Sequence, residues 1–106
     1  MEAPRIDPIL PIADRAIIGS LLQPLLLMSS AELILFGSRA RGDATPTSDI
    51  DIALRAPQPL SPDLLSVARE ALEDSNIPFK IDLLDYATLP AELRQAIDRE
   101  GIPWPE

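Results

Sequence analysis

Apolar residues recur along the chain in two periods, and their alternation lays out the elements. Between Ile12 and Gln23, Ile17, Ile18, Leu21, Leu22 and then Leu25 fall at helical spacing with Asp14 near the start. This predicts a helix that Pro24 ends or kinks. Leu25-Leu-Leu-Met28 offers more apolar surface than one helix stripe needs. A second turn packed on the sheet is the simpler reading, and a partner interface the sharper one. Glu32–Phe36 is a short continuous apolar run, read as a buried strand. Ser38–Gly42 reads as one helical turn opened by the Gly37-Ser38 corner, and Asp43–Thr47, with Pro46, as a loop. Ser48–Arg55 alternates and reads as a strand, and 56–60 as a connection. Ser61-Pro62-Asp63 is a helix start, with an N-cap serine, a proline at the first position and an acid in the first turn. Leu64, Leu65, Ala68, Ala71 and Leu72 form its inner face, and Asp74–Asn76 with Pro78 close it. Phe79–Tyr86 reads as a strand. The last helix spans about Pro90–Glu100, with Leu89, Leu93, Ala96 and Ile97 inward and Gly101 as its stop.

The first eleven residues hold three prolines and read as an extended lead-in. The tail, 102–106, is stiff and carries the only tryptophan, Trp104. Packing of that ring on its own core is favoured over an anchor for another chain. No internal repeat interrupts the order. The expectation is one domain over 1–106 of α/β (α+β) class. Its core would be a small mixed sheet of three or four strands with helices packed mainly on one face.

Charge and missing residue types narrow the chemistry. Net charge is −8, and among nine basic residues only Lys80 is a lysine. A surface this acidic argues against direct nucleic-acid binding and against an anionic membrane. Cysteine and histidine are both absent, which removes disulfides, thiolate metal sites and the commonest general base. Any metal must be held by oxygen, which points to Mg²⁺ or Mn²⁺. The N-terminus lacks the order of a signal peptide, and the apolar stretch Ala16–Met28 is too interrupted to span a membrane. A soluble cytoplasmic protein is the default expectation.

The stretch Gly37–Asp51 concentrates the candidate chemistry. Side chains alternate along a strand, so Asp49 and Asp51 share a face while Ile50 and Ile52 enter the core. Their Cα atoms would be about 6.5 Å apart, close enough for both carboxylates to grip one ion. A solvated strand face is the plainer alternative, and for this pair alone it leads. Gly37-Ser38 shifts the balance, because glycine at a strand end lets backbone approach a ligand and the following turn aims N–H groups outward. Arg39 and Arg41 are two apart, so one can face the site while the other points away. In Lys80-Ile-Asp-Leu-Leu84, Asp82 lies on the polar face, and three carboxylates converge if its strand neighbours that of Asp51. Two ions about 3.5–4 Å apart could then hold a triphosphate and an attacking hydroxyl. Without histidine, Asp82 is the best candidate base. Asp85 has the wrong parity and reads as a turn residue.

Gly37-Ser38, ten intervening residues and Asp49-x-Asp51, within GSRARG…SDIDIAL, resemble the signature of the polymerase-β-like nucleotidyltransferase superfamily, and within it the minimal nucleotidyltransferases. Phe79-Lys-Ile-Asp82-Leu-Leu-Asp-Tyr86 matches the strand of the family's third acid, and Leu89–Gly101 its usual last helix. No key position departs from the pattern. The resemblance implies that Gly37 and Ser38 hold the nucleotide's phosphates, with Arg41 a further nucleotide-binding candidate. Asp49 and Asp51 would ligate Mg²⁺, and Asp82 would complete a second metal position and help deprotonate the acceptor. It implies NTP, with ATP the family's usual choice, as substrate. It also implies a separately encoded all-helical partner, in some cases a HEPN-type toxin that receives AMP on a tyrosine. A homo-oligomer could complete the acceptor pocket instead. The competing reading is a non-catalytic antitoxin that binds its partner through Leu25–Met28 or the Trp104 tail. A drug-modifying enzyme half is a third reading that nothing in the sequence favours.

Overall fold

The computed structural model describes residues 12–45 and 47–104. The lead-in, Pro46 and the last two residues of the tail lie outside them. The elements are α1 (Ile12–Ser29), β1 (Glu32–Phe36), α2 (Ser38–Arg41), β2 (Ile50–Arg55), α3 (Pro62–Glu73), β3 (Ile81–Asp85), a 3₁₀ turn (Tyr86–Thr88), α4 (Ala91–Glu100) and β4 (Ile102–Pro103). The four strands form one mixed sheet in the order β3-β2-β1-β4. β1 is antiparallel to β2 and to β4, and β2 is parallel to β3. A parallel pair needs a long crossover, and α3 supplies it.

Strand alternation sorts the core into two clusters. Leu33, Leu35, Ile50, Ile52, Leu54 and Leu83 pack with Ile18, Leu22 and Leu25 of α1 and Leu65, Ala68 and Leu72 of α3. Ile34 and Ala53, of opposite parity, pack with Ile97 of α4 and with the half-buried Phe36, Tyr86, Leu89 and Leu93. The helices thus lie mainly on one face. On the other, α4 covers one end of the sheet, and the residues at the other end are Asp51 and Asp82.

α1 does not end at Gln23. It runs through Pro24 to Ser29. An interior proline costs about 3 kcal/mol or more. Pro24 is exposed, while Leu25 beyond it is buried and Leu26 half-buried. Burying a leucine contributes about 1.5–3 kcal/mol, so the added turn offsets the break. Leu27 and Met28 project outward, at 75% and 74% exposure. α3 starts as its sequence dictates, with Ser61 Oγ accepting from Leu64 N at 3.5 Å.

Strand ends are shorter than the alternation suggests. β2 begins at Ile50, not Ser48, and β3 at Ile81, not Phe79. Ser48 is held in a turn, donating from N to Thr45 O at 3.1 Å and accepting from Thr45 N at its Oγ at 2.8 Å. Gly101 stops α4 in extended backbone, φ −68°, rather than in a left-handed cap. Glycine is needed there for space, because a Cβ would lie 2.6 Å from both Ile34 Cγ2 and the Ile97 carbonyl oxygen. The tail then pairs as β4, Ile102 with Leu35 and Pro103 with Ile34, and Trp104 N donates to Leu33 O at 3.0 Å. Trp104 packs against the main cluster, its Nε1 3.5 Å from where a Cβ on Gly19 would sit. No described helix is long and apolar enough to cross a membrane.

Candidate active site

Asp51 stands in the middle of the sheet, opposite Phe36 of β1 on one side and Asp82 of β3 on the other. The parallel register therefore sets two carboxylates side by side on the face left beyond α4. Asp51 and Asp82 are half-buried, whereas Asp49, one residue before β2, is exposed. Its place on the strand face is therefore a correction to the sequence reading: the turn at Ser48 ends the alternation. Among the described residues no three acids form a preassembled metal-ligand cluster. Asp49 stands at the rim of the pair.

The chain leaves β1 through Gly37, at φ 79° and ψ −158°, a conformation open essentially to glycine alone. A Cβ there would fall on Asp51 Oδ2 and lie 3.1 Å from Asp51 Cγ. Glycine is thus required twice over, and its backbone abuts the carboxylate. The turn that follows is tightly closed. Ala40 N and Arg41 N both donate to Gly37 O, at 3.1 and 3.0 Å, and Gly42 at φ 87° ends it. Ser38 opens α2 directly after this corner.

Crowding shows in the titration of Asp51, which is raised from 3.8 to about 6. Burial contributes most, followed by the charges of Asp82 and Asp49 and a hydrogen bond shared with Asp82, with Arg41 pulling the other way. Arg41 itself is exposed and tied sideways, to Asp43 Oδ2 and Glu100 Oε1 at 3.3 Å each. Lys80 Nζ lies 3.9 Å from Asp82 Oδ1.

Residues 29–103 match the family model described as Polymerase beta, Nucleotidyltransferase. The chain belongs to that family. A relative from Haemophilus influenzae described as probable protein adenylyltransferase MntA is 35% identical over 84 residues, covering 79% of this chain and 72% of its own length. Among solved structures, a chain in the crystal structure of the toxin–antitoxin with AMP-PNP is 28% identical at TM-score 0.62, covering 86% of this chain and 72% of the other. A chain in a mutant of the MntA–HpeT toxin–antitoxin is 25% identical at TM-score 0.67, covering 85% and 70%.

In this nucleotidyltransferase, the two arginines of the corner, alike in sequence, divide in the structure. Arg41 is the outward one. Arg39 turns into the protein and is 4% exposed, a burial that its spacing alone did not signal. Asp85 is the buried last residue of β3, paired with Leu54, rather than a residue within a turn. Its carboxylate caps the 3₁₀ turn by accepting from Ala87 N at 3.2 Å and also accepts from Leu60 N at 3.0 Å.

Proposed function

We propose that this nucleotidyltransferase moves AMP from ATP to a hydroxyl, carried by a separately encoded all-helical HEPN-type toxin, and thereby acts as its antitoxin. The observation that carries the chemistry is the pairing of Asp51 with Asp82, with the Asp51 carboxylate set against the Gly37 backbone. The MntA relative, described as a protein adenylyltransferase, supports AMP and a protein acceptor. The matched toxin–antitoxin structures, one of them with AMP-PNP, support a toxin partner and an adenine nucleotide. A helical toxin as the acceptor is what the resemblance implies. A tyrosine hydroxyl is the acceptor the resemblance implies.

The donor set fits a divalent ion. Every candidate ligand is a carboxylate oxygen, as Mg²⁺ or Mn²⁺ requires, and a Cβ at Gly37 would fill the space against Asp51. Asp49 and Asp51 would hold the ion, with Asp82 completing a second position. When bound, the metal neutralises charge on the triphosphate and helps align it for in-line displacement. Ser38 and the Gly37 backbone would hold the β- and γ-phosphates, and Arg41 would add positive charge at the rim. The acceptor oxygen forms a bond to the α-phosphorus as the bond to the bridging oxygen breaks. Pyrophosphate leaves, and the hydroxyl proton passes to Asp82.

A second reading, neutralisation by binding alone, draws on the outward Leu27 and Met28. A cell-protection assay separates the two. The double variant Asp49→Asn with Asp51→Asn should lose protection against the toxin while still folding. Protection equal to wild type would mean that transfer chemistry is not the mechanism.

A further inference from the structure

Arg39 brings a positive charge into the interior, and burying a guanidinium is costly unless its N–H groups are met. Its Nε and Nη2 both donate to the carbonyl oxygen of Ser48, at 3.2 and 2.8 Å. Its guanidinium also lies over the Phe79 ring, 4.5 Å from the centroid. These contacts join three separate segments. The Arg39 backbone belongs to α2, directly after Gly37-Ser38. Ser48 directly precedes Asp49 and is fixed on its other side by Thr45. Phe79 lies on the approach to β3, three residues before Asp82.

We propose that Arg39 is a positioning residue whose buried guanidinium clamps the glycine–serine corner, the Asp49 loop and the approach to Asp82. It thereby sets where Asp49 stands relative to Asp51 and Asp82. The proposal rests on the reading that these acids form the metal and nucleotide site. Asp49 depends on such a clamp more than its neighbours do. Asp51 and Asp82 are fixed by strand pairing, whereas Asp49 lies outside the sheet and is exposed. The geometry asks for arginine in particular. Two N–H groups converge on one carbonyl while a flat face stacks on an aromatic ring, and a lysine supplies neither.

The test uses the full chain with Arg39→Lys and Phe79→Leu, the second keeping the guanidinium and removing the ring beneath it. Hydrogen exchange is followed in the metal-free protein. Calorimetry then measures binding of a non-hydrolysable ATP analogue across a Mn²⁺ series. In Arg39→Lys, exchange over 44–50 should quicken about tenfold while β1 stays protected. Half-saturating Mn²⁺ should rise by about tenfold or more, the usual effect of losing a group that orients a ligand. At saturating Mn²⁺ the analogue's affinity should return to the wild-type value. Phe79→Leu should move both readouts the same way by less, and it decides alone if Arg39→Lys fails to fold. Unchanged exchange over 44–50 with unchanged Mn²⁺ dependence would overturn the proposal. So would weakening that is equal at every Mn²⁺ concentration. Absence of Mn²⁺-dependent binding in the wild type would instead remove the reading of the site. Exchange over 44–50 would then decide the clamp by itself.

Discussion

Asp51 holds a charge where burial and two neighbouring acids oppose it. Folding raises its pKa from 3.8 to about 6, so the folded protein favours the protonated form. That contribution is fully present below pH 3.8 and is lost as pH rises through about 6. Asp51→Asn should therefore stabilise the metal-free protein at pH 7.5 by about 1 kcal/mol, a figure discounted for its partial exposure. It should change little at pH 4, and thermal unfolding at the two pH values checks the difference. The same titration predicts that Mg²⁺ binding to the wild type weakens as pH falls below about 6, measurable by calorimetry. The two left-handed glycines give a second contrast. Both sit at positive φ, and alanine costs about 1–2 kcal/mol of backbone strain at Gly42, in the αL region, and about 1–3 kcal/mol at Gly37, in a region essentially restricted to glycine. Only at Gly37 does the new methyl meet Asp51, whereas a Cβ at Gly42 would have nothing within 4 Å among the described residues. Gly37→Ala should destabilise and abolish nucleotide binding, and Gly42→Ala should destabilise alone. Urea unfolding with nucleotide titration distinguishes them.

At the scale of elements, α1 shows a local rule overridden by packing. Pro24 removes a donor from the helix interior, yet the helix continues because Leu25 beyond it enters the core. Pro24→Ala should raise the unfolding midpoint by restoring a donor to the helix ladder, and a lower midpoint would count against this account. Strand patterning was legible where apolar runs were long: β1 matches its sequence reading, and the parity of Asp51 and Asp82 follows from alternation. The start of β2 is not legible, because the turn at Ser48 comes from side-chain hydrogen bonds with Thr45 that alternation does not encode. β4 was hidden for a different reason. It is two residues long, contains a proline and exists only by pairing with β1. Gly101 stops α4 as its sequence position suggests, but close packing on Ile34 rather than a left-handed φ is what demands glycine there.

For the molecule as a whole, the sheet divides labour between its faces. One is covered by α1 and α3 and holds the chain together. The other is covered by α4 at one end and presents the acid pair at the other. The proposed acceptor must therefore come to an acidic, open site on a chain of net charge −8. The central claim is transfer of AMP onto a helical partner, and intact mass of that partner tests it most directly. After incubation with this chain, ATP and Mg²⁺, the partner should gain the mass of one or more adenylyl groups. The gain should vanish with EDTA or with Asp49→Asn and Asp51→Asn together. An unmodified partner that is nonetheless bound and silenced would contradict the account.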